Sequence, residues 1–594
     1  MARARSGSSL IVSRRAEHRE IVEWYRDLLD RTTPPEGLRW EPVKVGPTWQ
    51  WDGGWVLPEA SLGWDFLGWS GLWLRGKHGP WAWTPEQARF LLWFYAVDTS
   101  GDFTYHSAFL QRLKGWGKDP LAAGVGVGAC FADVQFDHWD GDRPVGREEP
   151  DAWVQIVAVS QDQTKNTMKL MPGLVPAETR RHYGIQIGKT NLWGLGDTRQ
   201  IEAVTSSPLA LEGGRPTLIV PNEPQNWNSG NSGHDMYGTI EGNAAKRDLD
   251  SPARILFIGN AYRPGEDSVA ERVRSAWEAT QGDRDADDEA ERPKFMDFGL
   301  LMDSLEAPPE APLSAEAAPD VVESVAGDAT WLDARGRILK SILNPANPPS
   351  ESRRKWYNQI TAAEDAWATP QQWDPLGRPD LVIEPGEEMV LFLDCSKSDD
   401  ATGLVGCRIT DGHVVTLGMW QRPPGRRGQG WLAPREKVDA AVVAAFDRWK
   451  VVGFFGDPSH VLDDESMDRY WDGLFDEWHR RYKTRLKVWA RRGQNVGHAV
   501  MFDMALLENQ KAFVEALGIA EADINAKALT HDGDARLRTH VLHARRQPTR
   551  AGMSIAKEHR ESRKKIDLAV CAVGARMVRR AYLNTRTKKG GWVG

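Results

Sequence analysis

Three apolar runs in the first half of the chain, DAWVQIVAVS at 151–160, RPTLIVPNE at 215–223 and ARILFIGNAY at 253–262, each end in polar residues. Unbroken apolar runs of that length, separated by amphipathic stretches, are strands of a parallel sheet covered by helices. The fold class that follows is α/β, over about residues 81–275. A second pattern of the same kind begins beyond residue 386 with EEMVLFLDCS.

At 594 residues the chain is too long for one core. Residues 1–80 are rich in Trp, Gly and Pro and suggest no chemistry. Residues 81–345 form a first domain, inside which 281–330, with EAPPEAPLSAEAAPD, has the composition of a surface excursion or lid. Residues 346–385, opening near NPANPPSESRR, read as a linker, and 386–594 as a second domain. Cys130, Cys395, Cys407 and Cys571 have no paired spacing, so neither a disulfide framework nor a zinc cluster is indicated. The basic N-terminus lacks the apolar core of a signal peptide, and no run approaches the roughly 18–20 apolar residues that span a bilayer. The expectation is a soluble protein of a reducing cytoplasm, with no membrane partner.

Lys and Arg number 75 against 83 Asp and Glu, a net charge of −8, which argues against a general nucleic-acid binder. The distribution argues for local phosphate-binding faces. Basic clusters stand at 480–492, 545–550, 557–565 and 576–589, while acids concentrate in GDRDADDEAER at 282–292. Salt screens charges beyond about 8–10 Å, so such faces act locally.

Two Gly-Lys pairs compete for the role of a phosphate-binding loop, which needs a strand, a tight turn and then a helix N-terminus. RLKGWGKDPLAA offers that order: a strand through Leu110, a turn containing Lys114, Gly115, Gly117 and Lys118, and a helix with Pro120 in its first turn. GIQIGKT, with Lys189 and Thr190, is one residue short of the usual spacing and runs into a turn-rich segment. Lys118 is therefore assigned the phosphate and Lys189 a loop or hairpin. The strand TLIVPNE ends in Asn222 and Glu223 where such ATPases carry two acids. Asp119 stands where Ser or Thr contacts magnesium. The two departures compensate if Asp119 supplies the metal carboxylate lost at 222, leaving Glu223 as the catalytic base. Asn260 ends the third strand, in the position of a γ-phosphate sensor, and Gln87, opening an amphipathic helix, is placed to read both edges of adenine. ATP with Mg²⁺ is the expected ligand.

In the second domain LFLDCSKSDDATGLVGCRI is a strand ending at Asp394, followed by Ser396, Asp400 and Thr402 and a further strand. Asp457 ends another apolar run and Asp567 opens an apolar helix. Three such acids meeting at the top of one sheet suit two-metal phosphodiester hydrolysis with Mg²⁺ or Mn²⁺.

The order of Gln87, the phosphate loop, VAVSQDQT at 157–164, IVPNE, FIGNA, RRKWYNQI at 353–360 and the three acids resembles the large terminase subunit of tailed bacteriophages, over about residues 80–580. The Asp394, Ser396, Asp400, Thr402 turn, the segment around His531 and Lys565-Ile566-Asp567 also resemble the family's motifs, and its early loop Lys or Arg falls on Lys114. The resemblance implies a P-loop NTPase domain, with helices on both faces of a parallel sheet, followed by a ribonuclease H-like nuclease. It implies a packaging motor that moves double-stranded DNA into a procapsid and cuts the concatemer, with catalytic Glu223, Asp394, Asp457 and Asp567. Implied partners are double-stranded DNA, a portal protein, a small terminase subunit and further copies in a ring, a pentamer on the portal. The implied location is the host cytoplasm and, transiently, the portal vertex, not the mature virion. An Arg from a neighbouring subunit would complete the ATP site, with Arg247, Arg254 and Arg263 as candidates. Two other readings stay open: a ribonuclease H-like nuclease or recombinase with a non-hydrolysing N-terminal scaffold, and a non-catalytic docking subunit.

Overall fold

A strand buried on both faces needs an apolar residue at every position, and the apolar runs of the first half form such strands. The computed structural model describes residues 2–205, 211, 213–246, 252–281, 296–361, 365–398, 400–423, 428, 430–462, 469–491, 497–557 and 564–590. The chain divides into two compact units, one of 1–263 with 267–361 and one of 264–266 with 362–594.

Among the described residues the first unit holds a nine-stranded sheet. Its strands are β1 (Val43–Val45), β2 (Ser107–Gln111), β3 (Trp153–Ala158), β4 (Gln186–Ile187), β5 (Asn191–Gly194), β6 (Arg199–Thr205), β7 (Leu218–Pro221), β8 (Arg254–Gly259) and β9 (Leu300–Glu306). Their spatial order is β1-β9-β2-β8-β7-β3-β6-β5-β4. The strands from β9 to β6 run parallel, and both flanks continue antiparallel. Alternation separates two cores. On β2, Ala108 and Leu110 pack with Val154, Ile156, Leu256 and Ile258, while Phe109 packs on the other side with Val157, Ile255 and Phe257.

The helices that matter for the site are α1 (Ala2–Arg31), α2 (Gly63–Trp73), α3 (Pro85–Phe94), α4 (Lys118–Phe131), α5 (Ala318–Ala326) and α6 (Pro349–Trp356). The Trp-rich start of the chain is built into this unit: Tyr25 and Leu29 of α1 and Phe66, Leu67 and Trp69 of α2 lie in the larger core. Buried indoles need acceptors. Trp69 Nε1 donates to Tyr183 Oη at 3.1 Å and Trp83 Nε1 to Ser70 Oγ at 2.8 Å.

Two stretches differ from the sequence reading. Of the supposed excursion 281–330, the acidic run 282–292 lies outside the described residues, but Leu300–Glu306 is β9, inside the parallel sheet, and α5 buries Val321, Val322 and Val325. The apolar LLMDSL was the strand signal, hidden by the prolines and acids around it. The supposed linker 346–385 is divided between the units: α6 belongs to the first, while Trp367, Trp373 and Leu376 are core residues of the second.

The second unit is built on β10 (Glu388–Asp394), β11 (Thr402–Arg408), β12 (Val414–Trp420) and β13 (Lys450–Asp457), in the order β12-β11-β10-β13. Only the pair β10 and β13 is parallel, and a register shift at Met389/Val390 leaves Asp394 beside Asp457. Helix α7 (Asp567–Gly590) covers one face, with Leu568, Ala572 and Ala575 against Val390, Phe392 and Val405. Among the described residues no helix is long and apolar enough to cross a membrane.

Candidate functional site

Parallel strands put their ligand at their C-terminal ends, and there the first unit has a cavity of about 740 Å³. It begins with the turn between β2 and α4. Gly115 (φ 86°) and Gly117 (φ 105°) hold left-handed backbone that a side chain would strain, so the loop can close tightly ahead of the helix. Lys114, Gly115, Gly117, Lys118 and Asp119 all line the cavity. Lys118 curls back onto its own loop, its Nζ donating to Arg112 O at 2.8 Å and Leu113 O at 3.0 Å. Burial pushes its ammonium down to about 8, against the pull of Glu223 and Asp119.

Arg112 fixes this loop. It is fully buried, with Nη1 donating to Glu86 Oε2 at 3.1 Å and Nε to Asp303 Oδ1 at 2.8 Å, and it lies 4.8 Å and 4.7 Å from the Trp49 and Trp116 rings. Burial pushes the Glu86 carboxyl up to about 7. Nothing in the local sequence pattern marks Arg112, because its acids come from α3 and β9.

Across the cavity stand Asn222, Glu223 and Asn260, from the ends of β7 and β8. Asn222 Nδ2 donates to Asp119 Oδ1 at 3.3 Å, and Thr167 Oγ1 donates to the same oxygen at 3.2 Å. The amide at 222 and the carboxylate at 119 are thus direct neighbours. Glu223 sits at φ 56°, an uncommon conformation for a side chain other than Gly, and its Oε2 accepts from Gln225 Nε2. Asn260 Nδ2 donates to Arg112 O at 3.0 Å, joining β8 to the turn between β2 and α4.

Gln87 also lines the cavity, but its Oε1 accepts from Thr84 N at 3.2 Å as part of a capping box at the start of α3. One lone pair of its carbonyl thus serves the helix, while the second lone pair and the amino group can still face the cavity. Lys189 stands in the turn between β4 and β5, where Gly188 N donates to Asn191 O at 2.7 Å. It does not line the cavity. Trp81 and Trp331 do, and sequence reasoning passed over them, as do Gln163, Arg354 and Lys355, which the quoted motifs contain but to which no role was given. Trp331 is about half exposed, and its Nε1 donates to Gly115 O at 2.9 Å.

Of the arginine candidates, Arg247 lies outside the described residues. Arg254 is a core residue, 3.6 Å and 4.0 Å from the Phe94 and Phe103 rings, with Nη2 donating to the carbonyls of Phe94 and Tyr105. So enclosed, it cannot reach another subunit. Arg263 pairs with Glu351.

In the second unit Asp394 and Asp457 end adjacent strands, and Asp567 opens α7. The turn after β10 is self-bonded: Thr402 Oγ1 accepts from Ser396 N at 3.0 Å, and Ser396 Oγ accepts from Asp400 N at 3.1 Å. Burial pushes the Asp394 carboxyl well up, reinforced by Asp567, Asp457 and Asp400. Burial also lifts Asp567 to about 7 and Asp457 to about 6. Asp400 is held by Lys557 and Lys565 at 2.6 Å and 2.8 Å. His531 stands apart in the core, stacked on Trp373 with ring centroids 4.4 Å apart.

Among the described residues no group of three or more His, Cys, Asp or Glu side chains is gathered closely enough to hold a metal ion. The donor chemistry nevertheless fits a hard cation. Asp567 Oδ2 is buried without a hydrogen-bond partner, and Asp394 is pushed up by burial and by three neighbouring carboxylates. Oxygen donors of this kind suit Mg²⁺ or Mn²⁺.

No family model matches the chain. It is 37% identical over 617 residues to the gene 13 protein of Mycobacterium phage L5, covering 94% of this chain and 98% of that protein. To the gene 13 protein of Mycobacterium phage D29 it is 36% identical over 622 residues, covering 94% of this chain and 98% of that protein. Among solved structures it is similar to the HK97 bacteriophage large terminase, at 14% identity over 87% of this chain and 99% of that one, with a TM-score of 0.43.

Proposed function

The chain belongs to one family with the gene 13 proteins of Mycobacterium phages L5 and D29 and carries the motif order of a phage large terminase subunit, and on that premise we propose that it is the ATP-hydrolysing, DNA-cutting subunit of a packaging motor. The observation that carries the proposal is one cavity lined by the phosphate loop, the Asp119–Asn222 pair, Glu223 and Asn260.

In this reading Lys118 leaves the carbonyls of Arg112 and Leu113 for the terminal phosphates of ATP, joined by the N–H groups of the loop and the N-terminus of α4. Lys114 adds charge from the exposed side of the loop. Asp119 would hold Mg²⁺ in place of the carboxylate absent at 222, and the ion would supply neutralisation of phosphate charge. Glu223 takes the proton of the attacking water, and Asn260 couples the end of β8 to the loop. In the second unit Asp394, Asp457 and Asp567 would hold two Mg²⁺ or Mn²⁺, whose chemistry there would be to activate water and stabilise the leaving oxygen of the phosphodiester. The substrate is double-stranded DNA, gripped through its phosphates by local basic faces without base reading. The partners are a portal protein, a small terminase subunit and further copies of the chain in a ring.

ATP hydrolysis by folded wild type, Lys118→Ala and Lys189→Ala, with and without DNA, tests the assignment. Loss is expected only in Lys118→Ala. Loss only in Lys189→Ala would refute it. For the second unit, Asp394→Ala and Asp457→Ala are each expected to abolish magnesium-dependent DNA cleavage, and unchanged cleavage would refute the nuclease assignment.

A further inference from the structure

Three cations share one carboxylate at the rim of the cavity. Glu351, on α6, accepts from Arg354 through both oxygens, Nε to Oε1 at 3.2 Å and Nη2 to Oε2 at 3.0 Å. Lys355 Nζ lies 2.9 Å from Oε2, and Arg263 Nε donates to Oε1 at 3.0 Å. Glu351 is thus met by three cations at once. Burial would raise the Glu351 carboxyl, but the hydrogen bonds from Arg354, Lys355 and Arg263 outweigh it and hold the group far below the usual carboxylate range.

Arg354 and Lys355 also line the cavity, with Lys114, Lys118 and Asn260. Helix α6 is tied to the nucleotide-facing loops by the backbone. Lys114 N donates to Lys355 O at 2.8 Å, and Arg354 Nη1 reaches the carbonyl of Ala261, next to Asn260, at 3.4 Å.

We propose that Arg354 is this chain's own terminal-phosphate arginine, parked on Glu351 until a phosphate takes its guanidinium; the proposal rests on reading the cavity as an ATP site. The argument is a competition between two anions. The fork that meets both carboxylate oxygens of Glu351 is the geometry in which a guanidinium meets two phosphate oxygens. A terminal phosphate carries more charge than one carboxylate, so it competes well for a guanidinium that Glu351 shares with two other cations. When Arg354 moves, Glu351 keeps Lys355 and Arg263, so no half-buried carboxylate is left unpaired. The positive charge sought in a neighbouring subunit is thus present in cis. The same chemistry serves the γ-phosphate of ATP or the inorganic phosphate left after hydrolysis.

Calorimetric titration of the full chain with Mg-ATPγS, Mg-ADP, and Mg-ADP plus inorganic phosphate separates these. Arg354→Ala is expected to weaken ATPγS about tenfold or more while leaving ADP within about threefold, because a charged hydrogen bond is lost to the terminal group alone. Arg354→Lys is expected to recover only part, since an ammonium makes no fork. Phosphate that tightens ADP binding in wild type and not in Arg354→Ala extends the site to the freed ion; no such effect beside the ATPγS loss confines it to the γ-phosphate. Equal loss of ATPγS and ADP in Arg354→Ala overturns the proposal in favour of a structural arginine. Wild type that binds neither nucleotide refutes the ATP reading itself, and the proposal with it.

Discussion

Replacing Asn222 by Asp probes the proposed metal side of the cavity. Asn222 is 3% exposed, and its Nδ2 donates to Asp119 Oδ1 at 3.3 Å. The substitution turns that hydrogen bond into two facing carboxylates. At this separation two unit charges repel by about 1.3 kcal/mol in water and about 5 kcal/mol at an effective dielectric of 20. Asp119 is only partly buried, so an intermediate cost of about 2–4 kcal/mol applies. If the cost falls on the Mg-ATP complex, Asn222→Asp lowers hydrolysis by about 30-fold or more. Asp119→Ser removes the carboxylate and is expected to impair hydrolysis as well. The double change Asp119→Ser, Asn222→Asp moves the carboxylate from one side of the contact to the other, and activity should return to within about fivefold of wild type. The assay is steady-state phosphate release by the full chain with magnesium, with and without DNA. A double variant no better than the worse single would refute compensation across this contact, as would a fully active Asn222→Asp.

Arg112→Ala strands Glu86 and Asp303 in the core, so chemical denaturation should show a loss of about 3–5 kcal/mol; a change under about 1 kcal/mol would show that the loop is anchored otherwise. The raised carboxyls of the second unit predict a pH-dependent metal effect. Asp567, raised to about 7, keeps a proton that the unfolded chain has lost, so this contribution to stability is present at acid pH and disappears as pH rises through about 7. If magnesium takes the place of that proton, as proposed for this cluster, its effect on Tm should be larger at pH 8 than at pH 6; an equal or reversed effect would contradict it. Trp331, partly exposed and bonded to Gly115 O, should report nucleotide binding by a change in indole fluorescence that Trp331→Phe removes; an undiminished signal in that variant would assign it to another indole.

What was legible in the sequence follows from how each element is buried. β3, β7 and β8 are covered on both faces, so their apolar runs are unbroken and their polar ends, Asn222, Glu223 and Asn260, could be read as site positions. β9 is as deeply buried, yet Pro-rich and acidic neighbours obscured it. Gln87 could be placed at the cavity, but its capping bond with Thr84 could not, because that is a three-dimensional contact. Trp331 was passed over, and Arg112 and Arg354 were given no role within the motifs that hold them, for the same reason. Arg112 finds its acids 26 and 191 positions away, and no local pattern carries such pairings.

The ammonium at the head of α4 has protein acceptors of its own: Lys118 Nζ donates to the carbonyls of Arg112 and Leu113. On the proposed reading of the cavity as an ATP site, a phosphate that binds would displace these two oxygens and one that leaves would be replaced by them, so the buried charge would have an acceptor at both ends of the exchange. In a packaging motor of the kind proposed, spent nucleotide would then depart without stranding that charge.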